Sequence, residues 1–407
     1  MINQSTSKNV ARYYALLLIC AFLPQIIPGG DLIKLLLKVV VVLVFAVLIL
    51  GRKATTISAP AGGLIAALII STLISFFANE GSLLSTLVGL GISCITILFF
   101  YDSALRSEGL SQKDVLAFYR IFAYFVLVSC FYNMIINRDE LMNLYSLSLY
   151  GDQDICSFFD NKNTFGIILL FGVLAATMLK QLTGEKRWLL ISLVFLLNEL
   201  MAMCRTAILL SVLLLLLSYL WAPQKFWKKL ISVAVLAVAV LAATILFPQL
   251  RNFLENVIFG DTRSLDTRNE YINDLLPHIQ GIHVLLGYGD ANAAAIAYYY
   301  TGNAYFHNTY LAAYTSGGLI RLGYLLWCVG LALRYSFRLR KRNAKEGNLC
   351  LISVLVYCIY CLSEAVMLFD SEMIAMTVTA FVVAMPILLY QNSFAWQTKQ
   401  MEAEYGA

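Results

Sequence analysis

Three residues, well separated in the sequence, carry side chains that could act together on a phosphorylated substrate. They are Arg205 in "MAMCRTAILL", Arg268 in "SLDTRNEYINDLLPHI" and His307 in "YFHNTYLAAYTSGG". The planar guanidinium of arginine binds phosphate through two parallel hydrogen bonds and stays charged when it is partly desolvated. A histidine that titrates near neutral pH can accept the proton of a hydroxyl group. If the fold brings the three together, they predict a site for a lipid diphosphate and a nucleophilic alcohol.

Each of the three residues also has an ordinary explanation. Arg205 could extend its charge from the end of a membrane span into water. Arg268 could be one charge of a solvated loop, because three carboxylates lie close to it in the sequence. His307 could be a polar residue at a helix start, beside Asn308, whose residue type is favoured at helix N-termini. Taken singly, the residues leave these alternatives open.

The composition predicts an integral membrane protein. Hydrophobic residues make up 60% of the 407 and charged residues only 13%, whereas soluble domains are about half apolar and a quarter charged. The nine cysteines imply no disulfide framework, since most lie in or beside apolar runs. We expect one polytopic domain over 1–407, with an uncleaved first span, because the N-terminal apolar run ends in "PQIIPGGD" without a small-residue cleavage site.

About twelve apolar stretches are long enough to suggest membrane spans. They cover 13–28, 32–50, 60–78, 83–101, 117–136, 164–180, 188–204, 206–222, 230–247, 308–333, 349–366 and 373–391. If the spans alternate, the basic loops "GRK", "KQLTGEKR", "PQKFWKK" and "RYSFRLRKRNAK" all fall on one side. The positive-inside rule makes that side cytoplasmic and places both termini there.

Two polar segments then lie on the opposite side of the membrane. The smaller covers 137–163 and the larger covers 248–307, which ends at His307. Within the larger, "LLPHIQGIHVLLGYG" is typical of a helix followed by a short apolar strand or a turn at its glycines. The run "AIAYYYTGNAYF" favours an interfacial aromatic belt, with a sugar-stacking surface as the alternative.

Other cations lie outside the cytoplasmic pattern. Lys34 and Lys38 are one helical turn apart and could guide a lipid diphosphate or extend outward into the headgroup region. Lys162 and Asn163 are candidates for binding sugar or phosphate, but a polar helix start explains them equally well. Arg321 lies about 21 Å below His307 if the helix is straight, so we expect it to pair with an intramembrane acid. The candidates for that acid are Glu199 and Glu364.

Four motifs resemble, in order, the O-antigen ligase and O-antigen polymerase family. "FFDNKNTFG" is similar to an Asn-rich element before a middle span, and "MCRTAI" to the family's Arg-Thr/Ser-Ala turn between spans. "DTRNEYINDLLPHIQGIHVLLGYG" resembles the segment in which an Arg opens a helix that leads to Gly-x-Gly. "FHNTYLAAYTSGGLIRLGYLL" resembles the His-Asn-x-x-Leu block. Together with about twelve spans and one large outer loop, the ordered set covers most of the chain.

The resemblance implies an all-α, GT-C-like membrane fold and a site built from Arg205, Arg268 and His307. The two arginines would hold the diphosphate of an undecaprenyl-linked saccharide, and His307 would orient or deprotonate the acceptor hydroxyl. Fixed cations would then stabilise the diphosphate as it departs. No metal-ligand motif is visible, so neither a metal nor another cofactor is expected. Lys162, Asn163, Lys38 and Asn308 are further candidates for substrate contacts.

The implied function is that of a polysaccharide polymerase, by inverting transfer between lipid-linked repeat units at the outer face of the bacterial inner membrane. A ligase that moves the glycan onto a lipid A core sugar is the alternative within the family. A flippase or transporter of lipid-linked saccharides is the alternative from another class, although no half-to-half repeat supports it. Expected partners are the lipid-linked oligosaccharide, membrane lipids and a chain-length regulator; no nucleic acid is expected.

Overall fold

The computed structural model describes the chain in a series of helical segments. Described are residues 56–79, 83–107, 112–142, 155–159, 161–221, 225–246, 271–370 and 372–393, with a few single residues elsewhere. Within these ranges the regular secondary structure is helical and no strand occurs. The predicted all-α class is therefore confirmed for the described part of the chain.

The first helices enclose the apolar stretches predicted between residues 60 and 247. They are α1 (Ala59–Asn79), α2 (Leu83–Thr96, continued by a π-helical turn Ile97–Asp102 and Ser103–Leu105), α3 (Gln112–Ile136), α4 (Arg138–Met142), α5 (Lys162–Thr183), α6 (Arg187–Met201), α7 (Arg205–Leu220) and α8 (Phe226–Leu246). The polar termini follow ordinary capping chemistry. Asn161 caps α5 by accepting the N–H of Thr164 at 2.8 Å, and Gly184 ends it with a left-handed φ of 73°.

The remaining helices follow the large polar segment. A π-helical turn (Tyr271–Leu275) and a 3₁₀ turn (Leu276–His278) lead into α9 (His283–Leu286), α10 (Asp290–Thr301), α11 (Thr309–Arg342), α12 (Ala344–Tyr360) and α13 (Met373–Thr379, continued by the π-helical turn Ala380–Ala384). Helical structure then extends to residue 393.

Six helices of the described part are long and apolar enough to cross a membrane. They are Ala59–Phe77, Thr86–Leu105, Gln112–Ile136, Lys162–Thr183, Thr309–Arg342 and Ile374–Ser393, and Arg205–Leu220 is a shorter apolar helix. Large apolar side chains such as Leu190, Val212 and Val238 are exposed on the helix surfaces, as expected where lipid replaces water as the solvent. The multi-pass character is thus shown. The count of about twelve stays a prediction, because the first two predicted spans lie almost entirely outside the described residues.

The chain divides into two compact units. One unit comprises 1–121 and 265–407, and the other comprises 122–264. The prediction of one membrane domain over 1–407 stays a prediction, since compact units are defined by packing within the chain and not by the membrane.

In the unit that comprises 122–264, α5 is the central helix. Its residues from Thr164 to Leu179 are all buried, and it packs against both α6 and α7. A methyl group on Gly172 would lie 2.9 Å from a Val126 methyl and 3.1 Å from the Phe195 ring, so this glycine permits a close helix crossing. Two buried amides of this interior pair with one another: Asn133 donates to Asn198 at 3.0 Å, as buried amides require.

In the other unit, α11 and α12 form an antiparallel pair, joined at Asn343. Asn343 ends α11 and also caps α12, where its side chain accepts the N–H of Lys345 at 3.2 Å and that of Glu346 at 3.4 Å. The α12 helix continues the pairing so closely that a methyl group on Gly347 would lie 2.2 Å from the Arg340 Cα. These contacts fix the end of α11 against the start of α12.

The described part of the large polar segment is folded and has an apolar centre. Leu275, Ile279 and Ala297 are buried together. The predicted continuous helix in "LLPHIQGIHVLLGYG" is divided into short helical turns, because Pro277 lacks a backbone donor and Gly281 has a φ of 60°. Of the two predicted continuations, the structure has a turn at Gly287 rather than a strand.

Candidate functional site

His307 lies directly before α11 and faces a carboxylate. Its Nδ1 is 3.6 Å from Oε2 of Glu364, and the imidazole is 32% exposed. The other two histidines of the chain have different surroundings: His278 stacks on Tyr300 at 4.1 Å, and His283 stacks on Tyr288 at 4.2 Å. His307 is therefore the histidine with the arrangement of a general base, half-buried, reachable by a substrate and paired through one ring nitrogen.

Asn308 is the N-cap of α11. Its Oδ1 accepts the backbone N–H of Tyr310 at 2.9 Å and that of Leu311 at 3.1 Å. The cap satisfies two of the four donors that a helix start leaves without partners. Asn308 thus positions His307 by fixing the first turn of the helix, as a residue of its type at this place predicts.

Thr309 ties the start of α11 to the segment that carries Glu364. Its backbone N–H donates to the carbonyl of Cys361 at 2.8 Å. Its hydroxyl donates to the carbonyl of Glu364 at 2.7 Å and accepts the N–H of Val366 at 2.9 Å. Because Thr309 is fully buried, these bonds are shielded from water. They hold the backbone beside His307 against the backbone of Glu364.

The α11 helix is interrupted at Gly317 and Gly318. Gly318 has φ 61° and ψ −156°, a conformation that favours glycine. The carbonyls of Thr315 and Ser316, which an unbroken helix would pair four residues onward, instead accept the N–H groups of Tyr288 and Gly289, each at 2.8 Å. The outer segment thereby satisfies the backbone groups that the break exposes, which is required within a membrane protein.

Glycines on both sides make this contact possible. A methyl group on Gly287 would lie 2.4 Å from the Gly317 nitrogen, and one on Gly318 would lie 2.2 Å from the Leu285 carbonyl carbon. Backbone therefore packs directly on backbone, and the Gly-Tyr-Gly element of 287–289 is a docking element for α11.

The predicted role of Arg321 requires correction. It does not pair with Glu199 or Glu364: its Nη1 bonds to Oδ1 of Asp290, the first residue of α10. Glu199 accepts the Ser211 hydroxyl at 2.7 Å instead. The expected distance of about 21 Å from His307 also assumed a straight helix, which the break at Gly317 and Gly318 rules out. The sequence does not predict Asp290 as the partner, because no local pattern relates it to Arg321.

Arg205 is the first residue of α7, and it follows a tight turn of three residues after α6. Met203 in that turn has a φ of 50°, which costs a non-glycine residue about 1 to 2 kcal/mol. The Cys204 Sγ lies 3.9 Å from Oδ1 of Asn163, in the first turn of α5. A methyl group on Gly166 would lie 2.4 Å from the same sulfur. The N-termini of α5 and α7 therefore meet, and the structure brings Lys162 and Asn163 to the end of the unit that carries Arg205.

This junction has an unusual distribution of charge. Lys162 and Arg205 each occupy the first position of a helix. The helix dipole disfavours a cation there by roughly 0.3 to 1 kcal/mol, whereas it favours an anion. Two helix N-termini and two cations at one place give an arrangement suited to an anionic ligand.

Arg268 and Lys38 lie outside the described residues, as does Lys34. Within the described ranges, no group of three or more His, Cys, Asp and Glu side chains is arranged to hold a metal ion. The residue that faces His307 is Glu364, which the sequence suggested as a partner of Arg321. The two residues lie far apart in the chain, so no local sequence pattern predicts their contact.

A protein-family model described as "O-Antigen ligase" matches residues 190–328. The matched segment begins within α6 and ends within α11, so it includes Arg205, Arg268 and His307. No curated protein sequence gives a significant match to the chain. The resemblance predicted from the sequence motifs is therefore confirmed for residues 190–328, the part of the chain that is similar to the O-antigen ligase family.

Proposed function

We propose that this protein is a polysaccharide polymerase that transfers a glycan from undecaprenyl diphosphate to the terminal sugar of another lipid-linked repeat unit. The observation that carries the proposal is the pair of His307, which lies directly before α11 and within the segment that matches the family, and Glu364, which lies in the segment after α12. A half-buried imidazole whose Nδ1 faces a carboxylate can use its second nitrogen, Nε2, for an acceptor hydroxyl.

In the proposed reaction, Nε2 of His307 accepts the proton of the acceptor hydroxyl as its oxygen attacks the anomeric carbon of the donor. The bond between that carbon and the diphosphate oxygen breaks, and the diphosphate departs with the electron pair. Attack from the side opposite the leaving group inverts the anomeric configuration. Glu364 keeps the imidazole oriented and offsets the positive charge that His307 gains.

The leaving group requires positive charge, because the diphosphate gains negative charge as the bond breaks. Arg205 and Lys162, at the junction of α5 and α7, are proposed to supply such charge, and Arg268 to add a third cation. Cations fixed in advance stabilise the transition state more than the ground state, which is how they accelerate the reaction. Asn163, next to Lys162, and Lys38 are proposed to contact the same substrate.

The two ends of α11 support an outer location for this chemistry. Arg340, Lys341 and Arg342 form its last turn, and basic residues at span ends favour the cytoplasmic side. His307 precedes the other end of the helix, so the proposed site faces away from the cytoplasm. Both chain termini are proposed to be cytoplasmic and the membrane to be the bacterial inner membrane.

A ligase that transfers the glycan to a lipid A core sugar is the second candidate. The description of the matching family, O-antigen ligase, favours it. Both reactions use the same donor and leaving group, so they share the proposed roles of His307, Glu364 and Arg205. They differ only in the acceptor.

The experiment supplies purified protein with a lipid-linked repeat unit, with and without a lipid A core acceptor, and separates the products by size. A ladder that forms without the core supports the polymerase. A single transfer that requires the core shows a ligase instead. If neither product forms, and the protein moves the lipid-linked saccharide across vesicle membranes, both transferase candidates are wrong.

A further inference from the structure

A buried carboxyl group lies near the end of α6, shortly before Arg205. Glu199 is 0% exposed, and its Oε1 accepts the hydroxyl proton of Ser211 on α7 at 2.7 Å. Its Oε2 has no hydrogen-bond partner among the residues that the structure describes. A carboxyl group buried in this way costs stability, because one oxygen has lost water without a replacement. The contribution of Glu199 therefore has to be sought in the geometry that it fixes.

Glu199 holds the turn between α6 and α7 at two points. Its backbone carbonyl accepts the N–H of Cys204, the residue directly before α7, at 3.4 Å. Its side chain bonds to Ser211 in the second turn of α7. Arg205 lies between these two points, directly after Cys204 and six residues before Ser211. The contacts of Glu199 therefore enclose the start of the helix that carries Arg205.

The composition of α7 makes a directional bond important. After Arg205 the helix has no charged residue, and residues 213–217 are all leucine. Lipid is as apolar as leucine, so apolar packing by itself does not decide which face of such a helix turns inward. Small and polar residues decide it instead, and the buried face of α7 carries Ala207, Ser211 and Ser218. The bond between Glu199 and Ser211 gives this face a directional contact with α6.

A helix whose rotation is fixed at Ser211 is also fixed at Arg205. The two residues are about 9 Å apart along the axis, at about 1.5 Å per residue. A rotation of α7 by about 30° would move the Arg205 Cα by about 1.2 Å on a cylinder of radius about 2.3 Å, and the end of the side chain farther. A displacement of about 1 Å can lower the rate of a reaction about a hundredfold. The rotation of α7 thus determines where the Arg205 charge lies.

We propose that Glu199 is a positioning residue, which fixes the rotation of α7 through Ser211 and so holds the Arg205 guanidinium where the departing diphosphate requires it. The inference rests on the proposed glycosyl transfer and adds to it a residue that does not touch the substrate. Because Glu199 acts through Arg205, its loss impairs use of the lipid-linked donor and leaves use of the acceptor unchanged.

Glu199→Met separates positioning from stability. Methionine is similar in length and brings no polar oxygen into the interior, so the midpoint of thermal unfolding in detergent should stay the same or rise. The Ser211 hydroxyl can then bond to the carbonyl of Ala207 in its own helix. We expect kcat/KM for the lipid-linked donor to fall about tenfold or more, and KM for the acceptor to stay within about twofold. A residue with a purely structural role would show the opposite, a lower unfolding midpoint with unchanged kinetics per folded molecule.

The bond itself is tested by a conservative variant and a matched pair of serines. Glu199→Gln keeps an oxygen that can accept the Ser211 hydroxyl, so its kcat/KM should stay within about threefold of the parent value. Ser211→Ala removes the other partner and should lose as much as Glu199→Met. Ser192→Ala is the control, because Ser192 is a buried serine of α6 whose hydroxyl donates to the Trp188 carbonyl within the same helix at 3.0 Å. It should leave kcat/KM unchanged.

The dependence on Arg205 is tested in the Arg205→Ala background. Glu199→Met should cause no further loss there, because no guanidinium remains to be positioned. The inference is wrong if the loss in this background equals the loss in the parent protein, or if Glu199→Met keeps the parent kcat/KM. It is also wrong if Glu199→Gln loses as much as Glu199→Met, or if Ser192→Ala loses as much as Ser211→Ala. If Glu199→Met does not fold, Ser211→Ala takes its place in each comparison.

Binding of a diphosphate without transfer distinguishes this inference from the proposed function. The probe is inorganic pyrophosphate, and titration calorimetry with detergent-purified protein measures its dissociation constant. We expect Glu199→Met and Ser211→Ala to weaken its binding about tenfold. If the parent protein forms no transfer product while this weakening is observed, the proposed function fails and the positioning of Arg205 stands. If the parent protein forms product and both variants bind pyrophosphate and use the donor as it does, the positioning fails and the proposed function stands.

Discussion

Nδ1 of His307 lies 3.6 Å from Oε2 of Glu364. The hydroxyl of Thr309, close to His307 in the chain, donates to the carbonyl of Glu364 and accepts the N–H of Val366. A base oriented by a carboxylate is a recurrent feature of enzymes that activate a hydroxyl. We expect His307→Ala to lower the transfer rate by about 10² to 10⁴, the usual contribution of a general base. The measurement is the initial rate of product formation at a saturating concentration of lipid-linked donor.

Glu364 should act through His307. Glu364→Gln is expected to lower the rate in the parent protein and to have no further effect in the His307→Ala background, because residues that act as a unit are not additive. Glu255→Gln is the control, since Glu255 pairs with Arg251 at the protein surface. A further loss in the double variant would show that Glu364 has a role independent of His307.

Arg205→Lys tests the binding of the diphosphate. Lysine keeps the charge but loses the planar pair of donors, and a hydrogen bond to a charged group contributes about 1.5 to 3 kcal/mol. We therefore expect kcat/KM for the lipid-linked donor to fall roughly ten- to hundredfold. The same result is expected for Arg268→Lys. Arg251→Lys is the control, because Arg251 is exposed, and it should leave kcat/KM unchanged. An equal loss in Arg251→Lys would show that the effect of Arg205→Lys does not come from bidentate binding of the diphosphate.

Gly166→Ala should disturb the junction that carries Arg205. The added methyl group would lie 2.4 Å from Sγ and 2.8 Å from Cβ of Cys204, and such overpacking costs about 1 to 3 kcal/mol. We expect a lower midpoint of thermal unfolding and reduced transfer. Cys204→Ala in the same chain removes the sulfur and should restore part of both, whereas the absence of any recovery would mean that the contact with Cys204 is not the cause.

Gly318→Ala should disrupt the break in α11. Alanine at a φ of 61° is strained, and its methyl group would lie 2.2 Å from the Leu285 carbonyl carbon; together these cost about 2 to 5 kcal/mol. Gly323→Ala in the same helix is the matched control, because a methyl group there meets nothing within 4 Å. Thermal unfolding in detergent should show a large loss for the first and none for the second. Equal stability of the two variants would contradict the close contact between Gly318 and the Leu285 backbone.

The Arg321–Asp290 pair should contribute measurably to stability. Arg321 is 25% exposed and Asp290 is 68% exposed, so the pair is partly screened and we expect a coupling free energy of about 1 kcal/mol. The double-mutant cycle uses Arg321→Gln, Asp290→Asn and the double variant, with unfolding in detergent as the measurement. If the double variant loses the sum of the single losses, the two side chains do not interact.

The membrane class, the helical fold and the family could be predicted from the sequence. A high apolar fraction and long uncharged runs leave few structures that satisfy backbone hydrogen bonds in lipid, and these are chiefly helices. The spacing of polar interruptions predicted the approximate bounds of the described helices. A short motif such as "MCRTAI" predicted that Arg205 lies at a turn between two helices, because such a turn is a local feature. Asn308 as a helix cap is local for the same reason.

Only the tertiary structure decided the partners of the charged residues. Glu364 is opposite His307 because Thr309 bonds to the segment that follows α12. Asp290 is opposite Arg321 because Gly317 and Gly318 interrupt α11 and allow the outer segment to dock on its backbone. An apolar run by itself predicts a straight helix. Glycine can adopt a positive φ, but it does so only where another segment packs against it, and the local sequence does not show that segment. Sequence determined which helices exist and which side chains are candidates for chemistry. Contacts between distant segments, set by packing over each unit, decided which of those side chains meet.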